Sequence, residues 1–287
     1  MSLHSESPIG IFDSGVGGLS VLRSIREQMP EETIIYFGDQ GHIPYGLRPM
    51  EQIRSFSEAI TNFLLGQDAK IIVVACNTAS AAALKYLREK FPDVQFVGME
   101  PAVKPAAEHT QTGKVGVLAT PATFQGALYA SVVERFANDV ELLQNTCNGL
   151  VQQIEQGNLD GIETRRILED ALLPMLEKNI DTVVLGCTHY PFVIPLIQQI
   201  VGDAKRVRVI DPAPSVAKQA QRLLEAGGMK SRSSTRGERT DVKLYTSSNP
   251  PSLKSMLLKL LGEDGEVERV EWLNDLQIKQ PQSSQRF

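Results

Sequence analysis

Two short runs, Ile71-Ile72-Val73-Val74-Ala75 and Thr182-Val183-Val184-Leu185-Gly186, constrain this chain most. Neither alternates apolar with polar residues, so each reads as a strand covered on both faces, the pattern of a parallel sheet packed under helices. Similar apolar runs recur between helical patterns almost throughout. Strands are expected at 9–13, 33–38, 70–76, 94–99, 114–119, 139–144, 181–187, 207–211 and 242–247. Helices are expected at 18–29, 49–66, 78–90, 122–137, 161–178, 191–200, 213–226 and 251–261. Alternating strands and helices give a doubly wound α/β fold, and 287 residues suffice for one large unit or two medium ones. In such sheets ligands bind beyond the carboxyl ends of the strands. Both runs end there on a thiol, Cys76 and Cys187.

The two thiols belong to a repeat. KIIVVACNTAS (70–80) aligns with DTVVLGCTHYP (181–191), placing Cys76 on Cys187. Glu100-Pro101-Ala102 follows Cys76 by the same 24 residues that separate Asp211-Pro212-Ala213 from Cys187. Upstream, GIFDSG (10–15) matches GVLATP (116–121), each a strand ending at a hydroxyl, Ser14 or Thr120. The chain therefore reads as two related halves, roughly 9–100 and 101–211, each supplying one strand-end thiol. Cys147 has no counterpart and reads as structural.

Composition excludes several functions. Hydrophobic content of 42%, charged content of 22% and a net charge of −5 are those of a soluble globular protein without a basic stripe, so nucleic acid is not an expected partner. The basic cluster Lys230 to Arg239 reads as a mobile surface loop. No run is long enough to span a membrane, and MSLHSESPIG lacks a charged-then-apolar leader, so a cytoplasmic location with reduced cysteines is expected. Three cysteines without a CxxC pair support no metal or iron–sulfur site. Gly15-Val16-Gly17-Gly18 departs from GxGxxG and no P-loop Lys follows, which argues against a nucleotide. No Lys stands at a predicted site loop for a pyridoxal Schiff base. No cofactor is expected.

Two similar domains facing each other would set two thiols across a cleft. One could take a proton from a stereocentre while the other returns one to the opposite face. Such catalysis needs groups titrating near working pH, and a helix N-terminus or a cationic neighbour such as His189 favours thiolate. Charge developing beside a carboxylate needs aimed donors. The Ser14–Gly18 turn opens a helix as an anion cradle, and Asn77, Thr78, Thr120, Thr123, Thr188 and the Tyr45-Gly46 turn can add hydrogen bonds. Asp13 could orient a base or meet a substrate ammonium. Two rivals remain on these residues: a Cys–His hydrolase built on Cys187 and His189, which leaves Cys76 without a task, and a non-catalytic two-domain binding protein.

FDSGVGGLSVL, IPYG, ACNTASA and GCTHYP together resemble the signature segments of bacterial glutamate racemase, in the cofactor-independent aspartate/glutamate racemase superfamily. The resemblance runs from about Ile9 to Leu273. It implies interconversion of L- and D-glutamate by two cysteines, supplying D-glutamate for peptidoglycan, in a cytoplasmic homodimer without a cofactor. It implies that Cys76 abstracts the proton from D-glutamate with help from Asp13, and Cys187 the proton from L-glutamate with help from His189 and Glu155. Asp13, Ser14, Tyr45, Gly46, Asn77, Thr78, Thr120, Thr123, Thr188 and His189 are then the substrate contacts. The expected architecture is two pseudo-symmetric domains, 1–99 plus 212–287 and 100–211, with the active site in the cleft between them. The chain departs from the family in DQGHIPYG, where small residues usually precede PYG, and at Pro121 in TPAT. Both bear on fine specificity, and a racemase for aspartate or a related acidic compound shares the scaffold.

Overall fold

A computed structural model describes residues 4–202, 207–231, 240, 242–274 and 276–279. Most of the basic cluster, 232–239, therefore lies outside the described residues. The strands are β1 (Ile9–Asp13), β2 (Ile34–Gly38), β3 (Ile71–Val74), β4 (Phe96–Gly98), β5 (Lys114–Ala119), β6 (Glu141–Asn145), β7 (Thr182–Gly186), β8 (Arg208–Ile210), β9 (Val242–Thr246), β10 (Val267–Arg269), β11 (Trp272–Asn274) and β12 (Gln277–Ile278). They form a six-stranded sheet ordered β10-β9-β2-β1-β3-β4, a four-stranded sheet ordered β6-β5-β7-β8, and the β11–β12 hairpin. Every pairing in the two larger sheets is parallel. The fold is α/β with two domains.

The repeat is visible in the strand order, because β2-β1-β3-β4 and β6-β5-β7-β8 run alike. Gly10 pairs with Ile72, and Gly116 pairs with Val183, so the two central ladders share the register read from the aligned cysteines. One match shifts. Phe96 pairs with Ile72 and Val209 with Val183, which sets Glu100 against Ala213 rather than Asp211, so equal spacing from the thiols does not carry over to equal sheet positions.

β1, β3 and β7 are buried along their whole lengths, as the non-alternating runs require. Helical stripes cover them. Leu19, Val21, Leu22 and Ile25 of the helix Leu19–Gln28 join one apolar cluster with Val183, Leu185 and Leu168 of the second half, so the core is continuous between the sheets. Three differences from the sequence reading have local causes. The expected helix 122–137 divides into Pro121–Gln125 and Ala127–Phe136 at extended Gly126, where a Cβ would stand 2.7 Å from Ala81. The helices Val103–His109 and Leu150–Glu155 were not among the expected ones, each being too short to establish a period. β10, β11 and β12 were also missed, being two or three residues each. Among the described residues no helix is long and apolar enough to cross a membrane.

Candidate active site

The carboxyl ends of β1, β3, β5 and β7 converge on a cavity of about 340 Å³. Its lining includes Ser14, Tyr45, Gly46, Cys76, Asn77, Thr78, Thr120, Cys187, Thr188 and His189. The structure therefore brings together, from both halves, most of the side chains singled out in the sequence. Cys76 caps the helix Asn77–Lys90, its Sγ accepting from the Ala79 N–H at 3.4 Å. Its thiol points to Ser14 Oγ at 3.8 Å. Burial, and then the nearby Asp13 carboxyl, push this thiol far above its ordinary range, against the Ala79 and Ser14 contacts. These surroundings favour the neutral thiol of Cys76 over its thiolate. Beside it, Asn77 is buried, and neither of its side-chain polar atoms has a hydrogen-bond partner among the described residues.

The Cys187 side is charged. His189 Nδ1 lies 3.7 Å from Cys187 Sγ, and His189 Nε2 lies 2.7 Å from Glu155 Oε1. Burial works to lower the imidazole, but the Cys187 sulfur and the Glu155 carboxylate outweigh it and hold His189 well above its usual range. Burial likewise works to raise Glu155, yet His189, the Val16 N–H and Gln40 hold it below its own. With both ring nitrogens protonated, His189 donates to sulfur and carboxylate at once.

This pair sets a pH window. Glu155 adds stability above the unfolded carboxylate value, about 4.3, which is lost as pH falls through its lower folded value. His189 adds stability below the unfolded imidazole value, about 6.5, which is lost as pH rises through its higher folded value. The joint contribution is complete between the two. Thermal melts should show Glu155→Gln losing most against wild type inside that window, and an equal loss at every pH would contradict the pairing.

Asp13 is fully buried and does not line the cavity. Its carboxylate accepts from the Gly15 N–H at 2.8 Å and from Thr188 Oγ1 at 3.1 Å, joining the first half to the Cys187 segment. Burial raises it, opposed by His189 and the Gly15 N–H. The Gly-rich turn differs from its reading as a substrate cradle. Its Val16 N–H donates to Glu155 Oε1 at 2.7 Å, so an anion it holds is the protein's own carboxylate. The glycines permit this approach: a Cβ on Gly15 would lie 2.1 Å from Glu155 Oε1, and one on Gly17 2.5 Å from both His189 Nδ1 and Thr188 Oγ1. Gly17→Ala should cost about 1–3 kcal/mol through this overpacking, read as a lower urea midpoint, and an unchanged midpoint would contradict it.

The remaining residues divide by what they offer. Tyr45 donates its hydroxyl to Asp39 Oδ2 at 2.5 Å, so it fixes the turn rather than offering the cavity a hydroxyl. Gly46 packs on Thr120, where a Cβ would stand 3.0 Å away. Thr78 and Thr120, from opposite halves, touch hydroxyl to hydroxyl at 2.9 Å, and Thr120 meets Thr123 at 3.0 Å. Thr123 is thus one hydroxyl removed from the cavity lining. Cys147 is buried in the apolar core cluster and also lines the cavity with Thr146, Asn148 and Gly149, at a positive φ of 45°. Burial, with Cys187 nearby, pushes its thiol up to about 12. No sequence signal marked it, because no cysteine of the first half aligns with it.

Fold and site together define a two-domain, doubly wound α/β protein whose paired strand-end thiols face one interdomain cavity. The Asp/Glu/Hydantoin racemase family matches residues 9–220, and the chain belongs to that family. It is 47% identical over 267 residues to glutamate racemase of Pseudomonas aeruginosa strain UCBPP-PA14, covering 93% of this chain and 98% of that one. Among solved structures, a glutamate racemase isoform from Bacillus anthracis matches with a TM-score of 0.83 at 32% identity, covering 93% and 98% of the two chains. The Francisella tularensis glutamate racemase, crystallised in complex with D-glutamate, matches at 0.80 with 31% identity and the same coverage.

Proposed function

We propose that this chain is a glutamate racemase, interconverting L- and D-glutamate through two cysteines without a cofactor. The observation that carries this reading is the pair of thiols, one from each half, lining a single cavity in unlike surroundings. Cys187, with an imidazolium N–H on its sulfur, is the base toward L-glutamate. Cys76, a neutral thiol, returns a proton to the opposite face and is the base toward D-glutamate when the states are exchanged. The unpaired Asn77 amide, Thr78, Ser14 and Thr188 are suited to the substrate's carboxylates and ammonium, where donors matter most as negative charge builds beside the α-carboxylate. Asp13 supports the site through Gly15 and Thr188.

The domains are then 1–99 plus 212–287 and 100–211, closing on substrate across the cleft. We further infer a cytoplasmic homodimer that supplies D-glutamate for peptidoglycan. One observation favours a second reading: Cys187, His189 and Glu155 stand in the order of a thiol hydrolase triad. That reading gives Cys76 no task. The test is optical. L-Glutamate incubated with the protein should lose its circular dichroism completely, and L-aspartate should not keep pace with it. A constant signal with folded protein would contradict the proposal, and faster loss with aspartate would reassign the substrate.

A further inference from the structure

The hydrogen bonds on the Cys187 side do not end at Glu155. Its Oε1 is shared by His189 Nε2 and the Val16 N–H, each at 2.7 Å. Its Oε2 accepts from Gln40 Nε2 at 3.2 Å, and among the described residues Gln40 is the only donor to that oxygen. Gln40 Oε1 accepts from Thr246 Oγ1 at 3.0 Å, and Thr246 Oγ1 accepts from the Ser248 N–H at 3.2 Å. A hydroxyl has one proton. The Thr246 oxygen keeps a second lone pair beside the Ser248 N–H, so it suits either flip of the Gln40 amide, and the Glu155 carboxylate decides between them. This orients the amide with its NH₂ group toward Glu155. The opposite flip would set oxygen against carboxylate oxygen.

The sheet explains the placement. Asp13, Gly38 and Thr246 pair across β1, β2 and β9 at one level. Gln40 lies two residues beyond β2, within reach of β9 on one side and of the helix Leu150–Glu155 on the other.

We infer that Gln40 is a positioning residue for the Cys187 half of the site, holding Glu155, and through it His189, against the thiol. Strand β9 thereby supports the acid–base pair of the other half. The inference rests on the racemase reading for the task of Cys187, though the hydrogen-bond chain stands apart from it. The other titratable groups around the pair are Asp13 at the end of β1, Cys187 beside the ring, Cys147 and Tyr190 near that sulfur, and Tyr36 of β2. Asp13 and Tyr36 have hydrogen-bond partners of their own, and none of these groups reaches Oε2. Without the Gln40 donor, the carboxylate loses support and the imidazolium with it.

The test is an NMR titration of His189 in the full chain, comparing wild type with Gln40→Met, nearly isosteric but without the donor, and with Thr246→Val, which releases the amide. The His189 midpoint should fall by about 0.5–1 unit in Gln40→Met and by less in Thr246→Val. For glutamate, kcat should fall by about 3–10-fold with KM little changed. A midpoint within about 0.2 unit of wild type in a folded Gln40→Met protein would overturn the inference, whatever happens to kcat. If Gln40→Met does not fold, Thr246→Val decides on the same measurement. The titration needs no turnover, so a wild-type protein inert toward glutamate would remove the racemase reading while the midpoint still judged the role of Gln40.

Discussion

Cys76→Ser and Cys187→Ser should each lower kcat/KM for glutamate by about 10²–10⁴-fold, the usual worth of a positioned acid or base, while the folded protein still binds substrate. Serine keeps the shape of the thiol but not its proton affinity. The loss must be equal in both directions. L- and D-glutamate have the same free energy, so their kcat/KM values remain equal in every variant. The unlike surroundings of the two sulfurs, Ser14 and Ala79 against His189, can appear only in kcat and KM taken separately. Titration calorimetry with D-glutamate beside an activity assay checks this, and near wild-type turnover in either variant would refute a two-thiol mechanism.

Asn77→Ala should act in opposite senses on stability and on binding. Among the described residues both polar atoms of this buried amide lack partners, a cost of about 1–3 kcal/mol for a group left unsatisfied. That cost is recovered only when substrate atoms enter the cavity. Removing the amide should leave the melting temperature of the ligand-free protein unchanged or higher. It should raise KM by about 10–100-fold, since each 1.4 kcal/mol of lost contact is tenfold. A destabilised variant with an unaltered KM would mean that Asn77 serves the fold rather than the ligand.

The fold was legible where its signals were local. Runs such as Ile71–Val74 announce a strand buried on both faces, and the aligned cysteines carried a register that the ladders reproduce. The site was legible as a list of side chains at strand ends, but its connections were not. Val16 and Glu155 are 139 residues apart, and Gln40 and Thr246 are 206 apart. No spacing rule joins such pairs, because tertiary packing alone brings them within reach. Tyr45 shows the limit for a single residue: the PYG turn marks the cavity, yet the hydroxyl turns away to Asp39. Cys147 shows the converse, a side chain without a local signal that a left-handed backbone carries into the cavity.

The two-thiol claim is tested most directly by isotope. Racemisation of L-glutamate in deuterated water, stopped after a small fraction has converted, separates the two faces. The thiol that takes the proton from one enantiomer is not the group that delivers to the other. The expected result is D-glutamate carrying deuterium at Cα from the first turnovers, beside residual L-glutamate that is still protiated. Deuterium entering L-glutamate as fast as D-glutamate appears would point to one base serving both faces, and would contradict the account.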